Sequence, residues 1–233
     1  MASVSVVLAV LLAGVIYSLK AKKLTPAGTV TGAGLALLIF LGTGVTGFVL
    51  MTAFFLMGTI ATGWQRRLKE VRAGIRESGP RTAMQVLANA GIAGILAALA
   101  LAFPDSRYHW TLGLAAAFSS AASDTLSSEL GTVYGRRFYH ILTLKPDLAG
   151  KNGVVSLEGM IWGVAGSVLV ALAYCGLEGR GPEFLWIIVA GTAGNLTDSV
   201  LGAWLENRGV IGNDAVNLLN TLAAALVVMA FSL

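Results

Sequence analysis

Acidic and amide side chains recur at helical spacing inside stretches that are otherwise apolar. Asp124 and Glu129 lie within Ser119-Ser120-Ala121-Ala122-Ser123-Asp124-Thr125-Leu126-Ser127-Ser128-Glu129, and Gln85 and Asn89 stand one helical turn apart. Asn195 and Asp198 are likewise one turn apart, and Asn213, Asp214, Asn217 and Asn220 follow in a fourth stretch. Ser120, Asp124, Ser127 and Ser128 share one helix face, as do Asn195, Asp198 and Ser199, and Asn213, Asn217 and Asn220 form a third stripe. Serines alone read as hydrogen-bonding glue between helices. Carboxylates gathered at one depth, with no intramembrane lysine expected nearby, repel one another until a metal ion or protonation relieves them. Oxygen ligands without cysteine or histidine point to a hard cation, Mg²⁺ first, which keeps sites open for water and substrate phosphate.

Basic residues beside these acids fit a phosphorylated substrate. Arg136, Arg137, Lys145 and Lys151 follow the Asp124 stretch, and Glu158 comes shortly after. Gly150-Lys151-Asn152-Gly153 reads either as a turn before a helix or as backbone approaching an anion at a helix N-terminus. It is not a Walker A loop, because the upstream glycine and the following Ser/Thr are absent.

The elements that must position these groups follow from composition. Of 233 residues, 56% are hydrophobic and only 12% are charged; a soluble domain carries about 25% charge. A soluble domain and a disordered chain are both excluded. The expected fold is all-α: a polytopic integral membrane bundle of about eight transmembrane helices, forming one membrane domain over residues 1–233. The spans read as roughly 2–19, 26–41, 44–63, 84–103, 110–133, 154–175, 184–205 and 214–232. The second is short and glycine-rich, and reads as a tilted or re-entrant helix. The single cysteine, Cys175, permits no internal disulfide and no thiolate cluster.

With the N terminus outside, every lysine and arginine but Arg107 and Arg180 falls on the inner side, as the positive-inside rule requires. The net charge of +4 is therefore a matter of topology and not of nucleic-acid binding. Both termini are expected outside, with the first span a retained helix and the polar layer facing the cytoplasm of a cell inner membrane or its equivalent. The inner loops 64–83 and 134–153 are the longest polar stretches. The first, with Arg66, Lys69, Glu70, Arg76 and Glu77 near helical spacing, reads as a helix on anionic headgroups or as a basic wall over a phosphate site. Gly159, Gly163, Gly166, Gly191 and Gly194 read mainly as close-packing surfaces. Trp110 and Trp204 read as interfacial anchors.

The motifs resemble the transmembrane protein 19 family, which includes the phytyl-phosphate kinases of tocopherol synthesis. The resemblance rests on Ser123-Asp124-Thr125, Ser128-Glu129-Leu130-Gly131, Gly153-Val154-Val155-Ser156-Leu157-Glu158-Gly159, Gln85-Val86-Leu87-Ala88-Asn89, Asp198-Ser199-Val200-Leu201-Gly202, Asn213-Asp214-Ala215-Val216-Asn217 and Lys23-Leu24-Thr25-Pro26-Ala27-Gly28. These keep their order over nearly the whole chain. A more distant similarity links Asp124, Gly135, Lys151, Glu158-Gly159 and Asp198 to dolichol kinases and phosphatidate cytidylyltransferases. The Pro-Gly-His-Gly-Gly stretch of the cytidylyltransferases is missing, and Asn213-Asp214 stands near its place.

The resemblance implies phosphorylation of a prenyl monophosphate to the diphosphate, with CTP as the expected donor. Under that reading Asp124 and Asp198 hold Mg²⁺, with Glu129 a third ligand or its neighbour. Asn195, Asn213 and Asn217 orient water, metal or donor phosphates, and Lys151 and Arg137 hold donor or acceptor phosphate. Glu158 acts at the site or braces the loop at Lys151. Asn89, Ser128 and Asp214 complete the expected substrate and nucleotide contacts. No strong general base is needed, because a phosphate monoester is already ionised near neutral pH. The expected partners are a prenyl-phosphate lipid, a nucleoside triphosphate and the membrane, and a homodimer stays open. The competing readings are cytidylyl or other phosphoryl transfer to a lipid phosphate, and transport. Transport predicts polar groups nearer the midplane and two related halves; Ser123-Asp124-Thr125 and Thr197-Asp198-Ser199 echo each other only faintly.

Overall fold

A computed structural model describes residues 4–74, 79–179 and 181–232. Arg76, Glu77 and Arg180 lie outside the described residues. The helices are α1 (Val4–Lys20), α2 (Pro26–Gly63), α3 (Arg66–Ala73), α4 (Ala83–Ala102), α5 (Arg107–Tyr134), α6 (Leu157–Glu178), α7 (Glu183–Leu201) and α8 (Asn213–Phe231). A π-helical turn, Gly202–Glu206, extends α7. Five of these helices, α2, α4, α6, α7 with its π turn, and α8, are long and apolar enough to cross a membrane. The chain is an all-α membrane bundle, with one short antiparallel strand pair, β1 (Tyr139–His140) and β2 (Val154–Val155), in the loop after α5.

Local chemistry sets the helix starts. Thr25 caps α2 by accepting from the Gly28 N–H at 3.0 Å, with Pro26 in the first turn. Thr82 and Gln85 form a reciprocal capping box at α4. Ser156 caps α6 through the Gly159 N–H at 3.1 Å.

The segments expected at 26–41 and 44–63 fall within α2, which is broken at Gly44, where φ is 70° and ψ is −150°. Only glycine takes such a backbone without strain. A straight helix of 38 residues would run about 57 Å. Instead both ends of α2 reach one residue. The Arg81 carbonyl accepts from the Thr25 N–H at 3.0 Å, and Arg81 Nη2 donates to Thr62 Oγ1 at 3.2 Å. The break at Gly44 lies far from them, beside Arg107 at the start of α5. α2 is therefore a helical hairpin, and its first half runs along α4, with Gly28 beside Arg81 and Gly42 beside Ala97.

α5 is the axis of the bundle. It packs against α2, α4, α6, α7 and α8, and every residue from Thr111 to Ser123 is buried. A helix buried all round must be apolar or small all round. Gly113, Ala115, Ala116, Ala117, Ala121 and Ala122 satisfy that, and neighbouring backbones come close. A Cβ on Gly131 would stand 2.8 Å from Gly159 Cα, and one on Gly166 3.0 Å from the Ala122 carbonyl oxygen. The core lies around Ile39, Leu50, Phe54, Leu112, Phe118, Val170, Ile187 and Val228. Large apolar residues such as Ile60, Leu169, Leu185 and Leu226 are exposed on the outside, the distribution expected of a lipid-facing surface. Trp110, expected as an interfacial anchor, instead packs partly buried against the core, while Trp204 is exposed.

The end of α8 lies beside the start of α5. Ser232 Oγ stands 3.3 Å from His109 Nδ1 in the first turn of α5. The polar residues of α5 gather at the opposite end, where α1 finishes.

Candidate functional site

At that end a cavity of about 830 Å³ opens between α2, α3 and α4 on one side and the loop carrying β1 and β2 on the other. α5, α7 and α8 form its floor. α5 supplies Asp124, Thr125, Ser127, Ser128 and Glu129; α7 supplies Asn195, Asp198 and Ser199; α8 supplies Asn213 and Asn217; α4 supplies Gln85 and Asn89. Polar stripes on four separate helices thus meet in one space.

The side chains of Asp124 and Asp198 come together on this floor. Two carboxylates this close repel unless a cation or a shared proton lies between them. Asn220 Nδ2 donates to Asp198 Oδ1 at 2.7 Å, and Ser120 Oγ donates to Asn220 Oδ1 at 3.0 Å. Asn195 and Asn217 are buried beside them. Glu206, on the π turn, completes the acidic side of the floor.

Glu129 takes a different partner. Lys69, on α3, forms an ion pair with it and also donates to the Ala61 and Thr62 carbonyls, at 2.9 and 2.8 Å. A lysine from the inner loop 64–83 thus reaches the acids from outside the candidate spans. Its ammonium closes the C-terminal end of α2, where unpaired carbonyls concentrate negative charge. Among the described residues no three His, Cys, Asp or Glu side chains gather as a metal-binding group; the carboxylates divide into the Asp124–Asp198 pair and Glu129 with Lys69.

α3 is both a surface helix and a wall. Arg66 pairs with Glu70 at 3.4 Å along its length, and Arg72 donates to the Val133 carbonyl at 2.9 Å at the end of α5. Arg66 and Lys69 face the cavity, as do Lys23 and Arg81. Burial lowers the Arg81 guanidinium from its usual range, and the nearby Glu129 opposes that shift.

The opposite wall is the loop 135–156. β1 and β2 pair Tyr139 with Val155 and His140 with Val154. Gly153 lets this loop approach the π turn: its φ is 73°, and a Cβ there would stand 2.6 Å from Ala203 Cα. Lys151 lines the cavity and is held by Asp147 at 2.6 Å. That contact, with the Leu148 N–H at 2.7 Å, holds the Asp147 carboxyl below the usual carboxylate range.

Some expected residues are engaged locally, and others stand outside the cavity. Asn89 reaches the cavity but donates to the Gln85 carbonyl at 2.9 Å, and Ser128 Oγ donates to the Thr125 carbonyl at 3.2 Å. Glu158, in the first turn of α6, accepts from the Arg136 N–H at 3.4 Å and braces the loop after α5. Arg137 is exposed, and Asp214 sits in the first turn of α8; neither they nor Glu158 line the cavity.

Sequence reasoning left out Asn220, Glu206, Arg81 and Lys69 as site residues. Asn220 carried a signal, three residues beyond Asn217 on the same stripe. Glu206 lies eight residues beyond Asp198, two turns along one face. Arg81 was legible only as an inner-side cation, and Lys69 only as part of a possible basic wall, without its carboxylate partner.

Helices with a lipid-facing exterior and a polar cavity at one end define an integral membrane protein with a site at its interfacial end. The chain matches the family described as Integral membrane protein DUF92 over residues 8–225 and belongs to it, in keeping with the resemblance read from its motifs. Among curated proteins, Uncharacterized membrane protein sll0875 of Synechocystis is 38% identical over 213 residues, 88% of this chain and 81% of that one. Protein VTE6, chloroplastic, of Arabidopsis thaliana is 30% identical over 212 residues, 84% of this chain and 63% of that one. Uncharacterized membrane protein MJ0933 of Methanocaldococcus jannaschii is 32% identical over 180 residues, 77% of this chain and 73% of that one. No solved structure matches.

Proposed function

We propose that this protein is a nucleotide-dependent kinase that phosphorylates a prenyl monophosphate to the diphosphate at the cytoplasmic membrane interface, with CTP as donor. The observation that carries the reading is the Asp124–Asp198 pair on the floor of a cavity walled by Lys23, Arg66, Lys69, Arg81 and Lys151. Paired carboxylates facing several cations suit a reaction between two phosphate-bearing substrates. The likeness to VTE6 and the resemblance to phytyl-phosphate kinases support a prenyl phosphate as one of them.

The donor set around Asp124 and Asp198 is all oxygen, which fits Mg²⁺. Bound there, Mg²⁺ would neutralise phosphate charge as it shifts in the transition state. Asp124 and Asp198 would hold it, with the remaining sites left to water and phosphate oxygen. Asn220 keeps the Asp198 carboxylate oriented. Lys69 neutralises Glu129, so that this carboxylate does not repel the incoming phosphates. Lys151 and Arg81 hold phosphate groups from opposite walls.

An oxygen of the acceptor monophosphate attacks the γ-phosphorus of the donor. A new P–O bond forms, the bond to the β–γ bridging oxygen breaks, and the nucleoside diphosphate leaves with that electron pair. The acceptor arrives ionised, so no side chain has to remove a proton. The inner side of the basic residues and the polar end of α5 coincide, which supports a cytoplasmic cavity with both termini on the far side.

The test is a label-transfer assay on purified protein with Mg²⁺ and geranylgeranyl or phytyl monophosphate. Label from [γ-³²P]CTP in the prenyl diphosphate is the expected result. Label from [α-³²P]CTP in the lipid would instead make it a cytidylyltransferase. No transfer from CTP, ATP, GTP or UTP by folded protein would overturn the kinase reading.

A further inference from the structure

The two walls of the cavity differ in what lies behind their cations. Behind Lys151 the lining is polar, with Asn152, Asn213 and Glu206. Behind Arg81 it is apolar, running along Leu24, Gly32, Met51, Phe55, Val86 and Ala90 between the two halves of α2 and α4. A nucleotide has no long hydrocarbon to bury, whereas a prenyl phosphate must place its phosphate on a cation and its chain in an apolar channel.

We propose that the Arg81 wall is the acceptor subsite: Arg81 takes the lipid phosphate, and the prenyl chain runs between α2 and α4 past Gly32. This rests on the kinase reading for its reaction, but the placement of the lipid can be tested without turnover.

Arg81 is suited to the task. Among the described residues its guanidinium makes one hydrogen bond, to Thr62. It lies against Gly58, where an added Cβ would stand 3.2 and 3.3 Å from Nη2 and Nη1. The remaining N–H groups form a fork that can meet phosphate oxygens in pairs. Its backbone is pinned as well: the Arg81 N–H donates to the Lys23 carbonyl at 3.0 Å, and its own carbonyl accepts from Thr25. The guanidinium is thereby anchored where both ends of the α2 hairpin meet the start of α4.

Gly32 marks the way out. A Cβ there would stand 3.8 Å from Leu24 Cδ1 and 3.9 Å from Val86 Cγ1. One methyl group fits that gap in ordinary contact, and a larger side chain would fill the channel. The neighbouring Val30 and Leu87 are exposed, so this part of the lining lies close to the outer surface of the bundle.

Two measurements on the full chain test the proposal. The first is thiol protection. Val86→Cys is made in a Cys175→Ala background, since Cys175 is the only native cysteine, and its alkylation by a maleimide is followed. Geranylgeranyl monophosphate is expected to shield Cys at that position and CTP is not; shielding by CTP alone would overturn the proposal and place the nucleotide in the channel. If the lipid shields the thiol while wild-type protein transfers no label from any nucleotide, the kinase reading falls and the lipid subsite stands.

The second measurement is substrate selectivity. Gly32→Leu is expected to lower kcat/KM for geranylgeranyl monophosphate about tenfold or more while leaving a five-carbon prenyl monophosphate within about twofold. Arg81→Gln is expected to raise KM for both monophosphates with KM for CTP unchanged, and Arg81→Lys to recover only part of the loss. Equal losses for long and short acceptors in folded Gly32→Leu protein, or a raised KM for CTP in Arg81→Gln, would overturn the assignment. Val86→Phe serves as the second channel block should Gly32→Leu fail to fold.

Discussion

Asn220 on α8 donates to Asp198 on α7 at 2.7 Å while its own side-chain oxygen accepts from Ser120 on α5 at 3.0 Å. One amide thus locks three helices at the floor of the cavity and sets the direction of a carboxylate. Asn220 is itself buried, so its partners are not exchangeable for bulk water.

Asn220→Ala is expected to lower both stability and turnover. It removes a donor to Asp198 and an acceptor for Ser120, a cost of about 1–3 kcal/mol for buried groups left unpaired. Thermal unfolding in detergent measures the first effect. Initial rates measure the second, and kcat should fall more than either KM moves, since Asn220 orients a carboxylate without touching either substrate. Ser120→Ala is expected to show the same pattern more weakly.

Asp124→Asn and Asp198→Asn are each expected to abolish label transfer while the protein stays folded by size-exclusion chromatography. Neither change enlarges a side chain, and each removes one charge from a repelling pair. Turnover near wild type in both would sink the proposed cation site.

Lys69→Met is expected to destabilise the protein more than Glu129→Gln. The Lys69 side chain is 10% exposed and that of Glu129 25%. Removing the lysine strands a half-buried carboxylate near the Asp124–Asp198 pair, at about 3–5 kcal/mol for a broken buried pair. It also uncaps the carbonyls of Ala61 and Thr62. The double variant Lys69→Met/Glu129→Gln is expected to regain part of that loss, and a double-mutant cycle from unfolding midpoints gives the coupling. Strictly additive effects would show that the two residues act independently.

The Asp147–Lys151 contact sets a pH expectation for the loop. The folded carboxyl titrates below its ordinary value of about 3.9, so its contribution is present above that value and fades as pH falls through the folded pKa. Between pH 5 and 8 the pair stays intact, and Asp147 adds no inflection to the rate profile. Asp147→Asn is expected to make Lys151 more reactive toward amine-acylating reagents in that range, read by peptide mass spectrometry. Unchanged acylation would show that Asp147 does not hold Lys151 in solution.

Much of the molecule was legible before folding. The apolar spans, the one-sided cations and the polar layer at one depth follow from residue type and period alone, because bilayer thickness sets span length and a charge in hydrocarbon is costly. The facing stripes of α5, α7 and α8 were visible as helical spacing, and Asp124, Asp198, Asn195, Asn213 and Asn217 do meet in one cavity. The glycines of α6 were readable as close-packing positions, and Gly159 and Gly166 bear that out.

What remained hidden depended on contacts between distant segments. That both ends of the α2 hairpin converge on Arg81 is a pairing across tens of residues, and no local period encodes it. Lys69 was readable as part of a headgroup helix or a basic wall, and only the return of α3 against α5 makes it the partner of Glu129. Glu158 has the same residue type as the site carboxylates, yet its place at the start of α6 turns it toward the Arg136 backbone. Sequence by itself determined which faces must avoid lipid and that the polar groups gather at one depth, because those follow from the solvent around each residue. The tertiary structure alone decided which acid faces which base and which wall is apolar, because those depend on how the helices pack around α5.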